Sequence, residues 1–416
     1  MSVTGVLFST RLLWLWSLLI VWWLMPQALA QDVSITALFK PDSAYPHINQ
    51  FKNTTPPSGY CQLYPGQCEE HKTFSLQVPI RFESTQAIPA NHASPRQGAT
   101  ITVPAQWREL SVRHESGAVE QVRMRITGVG SKYVTEDVRT LTGDTNADSR
   151  NAHYRLWGTS WVNAPSPCLD SGVGYYYPTS YGFFWKTPVH AACNKQARFD
   201  VPWLRYEHLD FSYELVTPNP LGMLAGNYTG SLTYTVGPNG DFDFGDVMLP
   251  SSSVLTMNFN LDVQHTLKVD IPPGGEKVQL VPAGGWQGWL QAGRKPVRLF
   301  RDQTFNISAS SRFKMFLQCS ISDGRVCFMA DRDSMLSAPL KVSVSLPGGL
   351  TDSAGRPVQR QELVTESGAV TFQPSHYVDR KPGTLHFELE KPDHFFLPGA
   401  PKQYFGGVTV IWDSEI

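Results

Sequence analysis

The sequence is short of several things, and each shortage removes a class of function. Charge of one sign is missing: 35 Lys and Arg stand against 36 Asp and Glu. No basic footprint for nucleic acid exists in such a balance. Beyond the first thirty residues no long apolar run occurs, so no later segment reads as a membrane helix. The chain has no C-x-x-C or H-x-H pair, no H-E-x-x-H, no phosphate loop and no G-x-S-x-G elbow. Metal, nucleotide and hydrolase readings therefore lack their usual residues, and no metal or other cofactor is expected. The eleven histidines are scattered singly. Long stretches of helical period are absent too.

What is present begins with an export leader. Arg11 precedes an apolar run from Leu12 to Met25, and Ala28-Leu29-Ala30 fits a small-residue cleavage site. Residues 1–30 read as a signal peptide, with a retained signal anchor as the alternative. The six cysteines of the exported chain fall into three local couples: Cys61 with Cys68, Cys168 with Cys193, and Cys319 with Cys327. An even count in an oxidising compartment reads as disulfides, of which six cysteines allow fifteen pairings. The sequential pairing is the simplest, each loop adding about 2.5–3.5 kcal/mol in the chain-entropy model.

Alternation of apolar and polar residues recurs from end to end, as half-buried strands require. It runs through Phe74–Phe82, Val122–Ile126, Leu232–Val236, Leu255–Val263, Leu340–Leu346 and Leu385–Leu389. Pro79 cannot donate to a ladder, which places the first of these at a sheet edge. Short helical turns fit Trp203–Leu209 and Asp331–Leu336. The class is all-β: two β-sandwich domains in tandem. The boundary is drawn where Gly237-Pro238-Asn239-Gly240, three aspartates, Pro250 and three serines interrupt the strands. This gives a first domain at 31–246, a linker at 247–253 and a second domain at 254–416.

Two segments stand out as candidate sites. Tyr154–Tyr181 is dense in aromatics and carries Cys168. Trp157, Trp161, Tyr175, Tyr176, Tyr177 and Tyr181, with Arg155 and Lys186, form a candidate binding surface, since sugar rings stack on aromatic faces. The same density suits a packed core equally. The carboxylates Glu109, Glu115 and Glu120 read as surface solvation, although a glycosidase would need such a pair. Asp241, Asp243 and Asp246 lack the spacing of a calcium loop and read as linker. The second segment is the end of the chain. Tyr404, Gly406, Val408, Val410 and Trp412 share one face of a final strand, and Phe405, Thr409 and Ile411 share the other.

With those residues in view, the chain resembles the minor tip adhesins of class 5 (alternate chaperone–usher) fimbriae, the CblD-like pilus-initiating subunits. The resemblance rests on Gln403-Tyr404-x-Gly406-x-Val408-x-Val410-x-Trp412, on Leu224–Val236 and on Leu255–Pro272. It implies a lectin-like adhesin domain followed by an incomplete immunoglobulin-like pilin domain. It implies no catalysis. It further implies a periplasmic chaperone, an outer-membrane usher, a major pilin that supplies a donor strand, and a host glycan or glycoprotein as receptor. The protein would be exported through the periplasm to a fimbrial tip. Tyr404, Gly406, Val408, Val410 and Trp412 would then meet the chaperone or donor strand. The family's receptor arginines have no counterparts here, since Ser58-Gly59-Tyr60 precedes the first cysteine and Gly237-Pro238 follows the strand ending at Val236. A non-adhesive cap of a fimbrium is the alternative, and a secreted carbohydrate-active enzyme is a remote one.

Overall fold

The computed structural model describes residues 30–331, 336–390 and 403–414. The leader lies outside these, except for Ala30. Two tandem, mostly β domains follow one another, each with its own apolar core.

The first domain sets a 13-stranded sheet, and a separate two-stranded one pairing Ala99–Ile101 with Cys193–Lys195, about a large core. Its main strands are β1 (Ala30–Phe39), β2 (Phe74–Val78), β3 (Arg108–His114), β4 (Val119–Val134), β5 (Leu169–Tyr177), β6 (Ser180–Lys186), β7 (Leu209–Val216), β8 (Gly226–Thr235) and β9 (Val254–Val263). β4 is long enough to serve two neighbourhoods. Its first half pairs with β3 and β7, and its second half with β6. The apolar phase of Val122, Met124 and Ile126 is fully buried, as alternation demands. Gly128 and Gly130 on β4 leave room for the Phe184 ring, which lies 2.5–2.6 Å from where a Cβ would sit. Alternation through Phe74–Phe82 breaks at Pro79. β2 stops at Val78 and pairs with β7 alone, while Phe82–Ser84 joins other partners.

The domain boundary differs from the one read from the sequence. β9 belongs to the first domain, not the second. It pairs over ten residues with β8, antiparallel, and over ten with β1, parallel. Leu255, Met257, Phe259, Leu261 and Val263 are buried in the first core. Nor is 247–253 a linker, since Met248–Pro250 pairs with Phe82–Ser84 and Met248 is buried. The three aspartates before it are structural. Arg96 holds Asp243 and Asp246, each at 2.7 Å, and Arg108 holds Asp241. Polar turn residues suggested a spacer, but Phe242 and Phe244 between them are fully buried and anchor the segment. The true connection is Gln264–Thr266. His265 edges onto Phe39, donates its Nε2–H to Met223 O (2.9 Å), and reaches Ser310 Oγ through Nδ1 (3.2 Å).

The helices also fall elsewhere. Trp203–Leu209 is extended, and Asp331–Leu336 lies partly outside the described residues. Helices form instead at α1 (Tyr60–Leu63), α2 (Pro65–His71), Val138–Leu141, α3 (Ser149–Trp157) and Gln287–Ala292. Asp148 caps α3 by accepting from Asn151 N at 3.0 Å, and Gly158 ends it in the left-handed region at φ 71°.

The second domain stacks two sheets. One contains β10 (Leu267–Asp270), β11 (Arg298–Ala309), β12 (Cys327–Ala330), β13 (Ser337–Ser345) and β14 (Val378–Glu390), in the order β10-β11-β14-β13-β12. The other runs Leu350–Asp352, Val370–Pro374, Phe313–Cys319 and β15 (Val408–Ser414). Three disulfides join Cys61–Cys68, Cys168–Cys193 and Cys319–Cys327, with Cα atoms 5.6, 5.9 and 5.5 Å apart.

Candidate functional site

The chain end makes the first site. Register pairs β15 with Phe313–Cys319 through seven residues, from Val408 opposite Cys319 to Ser414 opposite Phe313. Among the described residues nothing pairs with its other side, and β10 is likewise an edge of the facing sheet. Between these two edges runs a groove of about 510 Å³. Val408, Val410 and Trp412 form one wall, and Val269, Phe305 and Phe387 are among the residues opposite. Trp412 stands edge-on to Phe305 at 4.9 Å. The three β15 side chains touch the core yet are only partly buried. A sandwich with a covering strand on both sides would bury them.

Gly406 lines the groove, but Tyr404 does not. Chain crossing explains the difference. Phe405 exchanges both backbone hydrogen bonds with Ala330 of the other sheet at 3.0 Å, and Gly407 donates to Ser320 Oγ at 2.8 Å. A Cβ on Gly406 would stand 2.6 Å from Phe328 O. The glycine therefore lets the chain cross between sheets before β15 begins.

The aromatic segment of the first domain divides. Trp157, Trp161 and Tyr181 are core residues, not surface. Trp161 is fully buried, 4.7 Å from Tyr133 and 5.1 Å from Trp185. Trp157 donates its indole N–H to Tyr133 Oη at 3.0 Å, and Tyr181 Oη meets Ser160 Oγ at 2.8 Å. The buried Lys195 ammonium holds this region together, donating to Thr159 Oγ1, Ser160 O and Asn163 O at 2.6–2.8 Å. Burial lowers its pKa to about 8. Arg155 is an exposed residue paired with Asp144 at 2.8 Å.

Tyr175, Tyr176 and Tyr177 do face solvent, 41%, 44% and 62% exposed. Lys186 is not beside them. The β5–β6 hairpin pairs Tyr177 with Ser180 at its turn and Leu169 with Lys186 at its far end, roughly 20 Å away along a strand of about 3.3 Å per residue. There Lys186 Nζ donates to His71 Nε2 at 2.9 Å, at a cleft of about 310 Å³. Arg125, Glu214, Tyr60 and Phe184 share that cleft, and Arg125 pairs with Glu214 at 2.7 Å. Sequence reading missed all four, because three different strands and a helix bring them together. Glu109, Glu115 and Glu120 lie on or beside the β3–β4 hairpin. Glu109 and Glu115 are exposed, and Glu109 sits opposite Arg123. Among the described residues no group of three His, Cys, Asp or Glu is placed to hold a metal.

No family model matches the chain, and no curated protein does. Among the solved structures similar to it, three come from fimbriae or pili. One is a chain of the chaperone–tip adhesin complex of CFA/I fimbriae, at 10% identity and a TM-score of 0.25, over 94% of this chain and 98% of that one. Another is CfaE, the adhesive subunit of CFA/I fimbria of enterotoxigenic Escherichia coli, at 11% and 0.25, over 93% and 95%. A third comes from the CsuC–CsuE chaperone–tip adhesion subunit complex of the archaic Csu pili of Acinetobacter baumannii, at 8% and 0.19, over 93% and 98%. TM-scores at this level are no argument for fold or function, and the groove stands on its own geometry.

Proposed function

We propose that this chain is a fimbrial tip adhesin that starts a fibre, of the CblD-like kind its sequence resembles. The open groove beside β15 carries the reading. Two facing sheet edges and a half-covered apolar floor are an aggregation hazard in any free protein. An added strand removes it by completing the sheet and filling the groove, which is strand-addition recognition. A periplasmic chaperone would supply that strand first and a major pilin afterwards, at an outer-membrane usher. Only three residues separate β9 from β10. The second domain therefore has no free N-terminal extension to lend to a neighbour, which suits the end of a fibre.

The receptor side of the proposal belongs to the first domain. Tyr175, Tyr176 and Tyr177 offer ring faces to a host glycan or glycoprotein, and the cleft beside Lys186 offers a second contact. The domain boundary sets the deciding experiment. Deleting Gln31–Val263, not Gln31–Asp246, removes the first domain without cutting its sheet. Fibres that assemble but no longer adhere support the adhesin. Loss of assembly favours the second reading, a cap that nucleates the fibre without binding a host.

A further inference from the structure

The outer face of the first domain carries α1 and α2 over β2, β7 and β6. Beneath them Tyr60, Cys61, Cys68, Val173 and Phe184 make a small second core. Against it lies a cavity of about 50 Å³, walled by Tyr60, Tyr64, Tyr175, Phe183 and Phe184. Asp210 of β7 also lines it. This carboxyl is only 7% exposed, and its Oδ1 has no hydrogen-bond partner. The carboxyl is held by the Tyr60 backbone N–H alone, and a buried acid with one oxygen unsatisfied is costly, so its retention calls for a cause. Space for the group is reserved as well. Gly59 sits at φ 67°, and a Cβ there would stand 2.4 Å from Asp210 Oδ2. No Lys or Arg is among the lining residues. Aromatic faces around one buried carboxyl with no cation in the lining are the arrangement that receives an organic cation.

We propose that this cavity binds a primary ammonium group, with Asp210 as its counter-ion and the tyrosine and phenylalanine rings as its walls. The cavity is much smaller than the cleft beside Lys186, about 50 Å³ against 310 Å³, which suits a terminal methylene and ammonium better than a whole sugar ring. The ligand therefore inserts a tip past Tyr175, which is 41% exposed. An amino sugar or a lysine side chain both carry such a tip. The proposal does not rest on the fibre reading, because a chain that builds no fibre would still bind the ammonium.

Binding carries a proton signature. Burial pushes the Asp210 pKa up to about 8, so the free carboxyl is mostly protonated at neutral pH. The incoming ammonium favours the carboxylate, and one proton leaves to solvent. Affinity should rise between pH 6 and 8. The other titratable groups facing the cavity are Tyr60 and Tyr64 from the helical cap, Tyr175 from β5 and His208 from the turn before β7. Burial raises Tyr60 and Tyr175 above their ordinary range. His208 is held low by burial and by Lys132, so it is neutral over most of that window.

Calorimetric titration of the full chain tests this, using propylammonium against 1-propanol. The expected result is a Kd on the order of 1 mM for the ammonium, at least tenfold tighter than the alcohol, with about one proton released at pH 7. Asp210→Asn should weaken ammonium binding tenfold or more. Glucosamine and Nα-acetyl-lysine methylamide then tell the two sources apart by which binds more tightly. Equal binding of ammonium and alcohol, or unchanged ammonium binding in the variant, overturns the proposal. Should Asp210→Asn not fold, the unaltered chain still decides it: ammonium binding no tighter than that of the alcohol is the contrary result.

Discussion

β9 and β15 look alike in sequence and end differently. Both alternate cleanly, and both close a run of strands. β9 has β8 on one side and β1 on the other, each over ten residues. Its inward residues, Leu255 to Val263, are at most 2% exposed. Among the described residues β15 has one neighbour, and Val408, Val410 and Trp412 are only partly buried. Alternation thus reports that one face of a strand is apolar. It does not report how many strands lie beside it. A closed core and an unfinished one can be written in the same pattern.

The largest effect should come from finishing the second sheet. Fusing a partner's donor strand to the C-terminus should raise the melting temperature of the second domain by about 10 °C or more, at some 2–4 °C per kcal/mol for domains of this size. The first domain's transition should stay where it is. Two-transition calorimetry reads both, and no gain in the second would break the contrast.

Next, Trp161→Ala should cost the closed domain about 3–5 kcal/mol, as expected for an aromatic deleted from a packed core. Trp412→Ala, at the open edge, should cost less in the free chain and more once a donor strand is bound. Chemical denaturation of both forms measures the difference. Arg96→Ala should cost about 3 kcal/mol, because it strips a buried Asp243 of its charge partner. That loss should appear in the first domain only, confirming that Asp241–Asp246 belongs to its fold.

Asp210 gives the first domain a pH dependence of a definite sign. Its folded pKa, about 8, lies above its unfolded value near 3.8. Between those values the folded state binds more protons, so this group's contribution falls as pH rises from about 4 to 8. Asp210→Asn should flatten that slope. Smallest of all, Tyr176→Ala should change stability by less than about 0.5 kcal/mol, as an exposed residue does. It should nonetheless weaken adhesion measured on cells or glycan arrays.

Several features were readable before any coordinates. The β class, the alternating strands and the shared face of Val408, Val410 and Trp412 follow from local spacing; the nearest-neighbour disulfides were the simplest of fifteen pairings, and the groove was implied only by the family resemblance. What escaped depended on distant partners. Val254–Val263 reads as the start of a new domain until β1, more than two hundred residues away, is seen beside it. Gly237–Ser253 reads as a spacer because its aspartates look solvated, but Arg96 and Arg108 neutralise them. Trp157, Trp161 and Tyr181 look like a surface because nothing local tells an aromatic packed on Tyr133 from one facing water. One miss was avoidable: Asp148 and Gly158 bracket α3 with ordinary capping residues. The cleft beside Lys186 was not, since its walls come from four separate elements.

Amide hydrogen exchange on the free chain tests the unfinished sheet most directly, with β9 and β15 followed together. A strand paired on one side should open at low cost, whereas a central strand should exchange only with its whole domain. We predict fast exchange across Val408–Ser414, slow exchange across Val254–Val263, and protection of the former when a donor-strand peptide is added. Protection of Val408–Ser414 equal to that of Val254–Val263 in the free chain, unchanged by the peptide, would contradict the account.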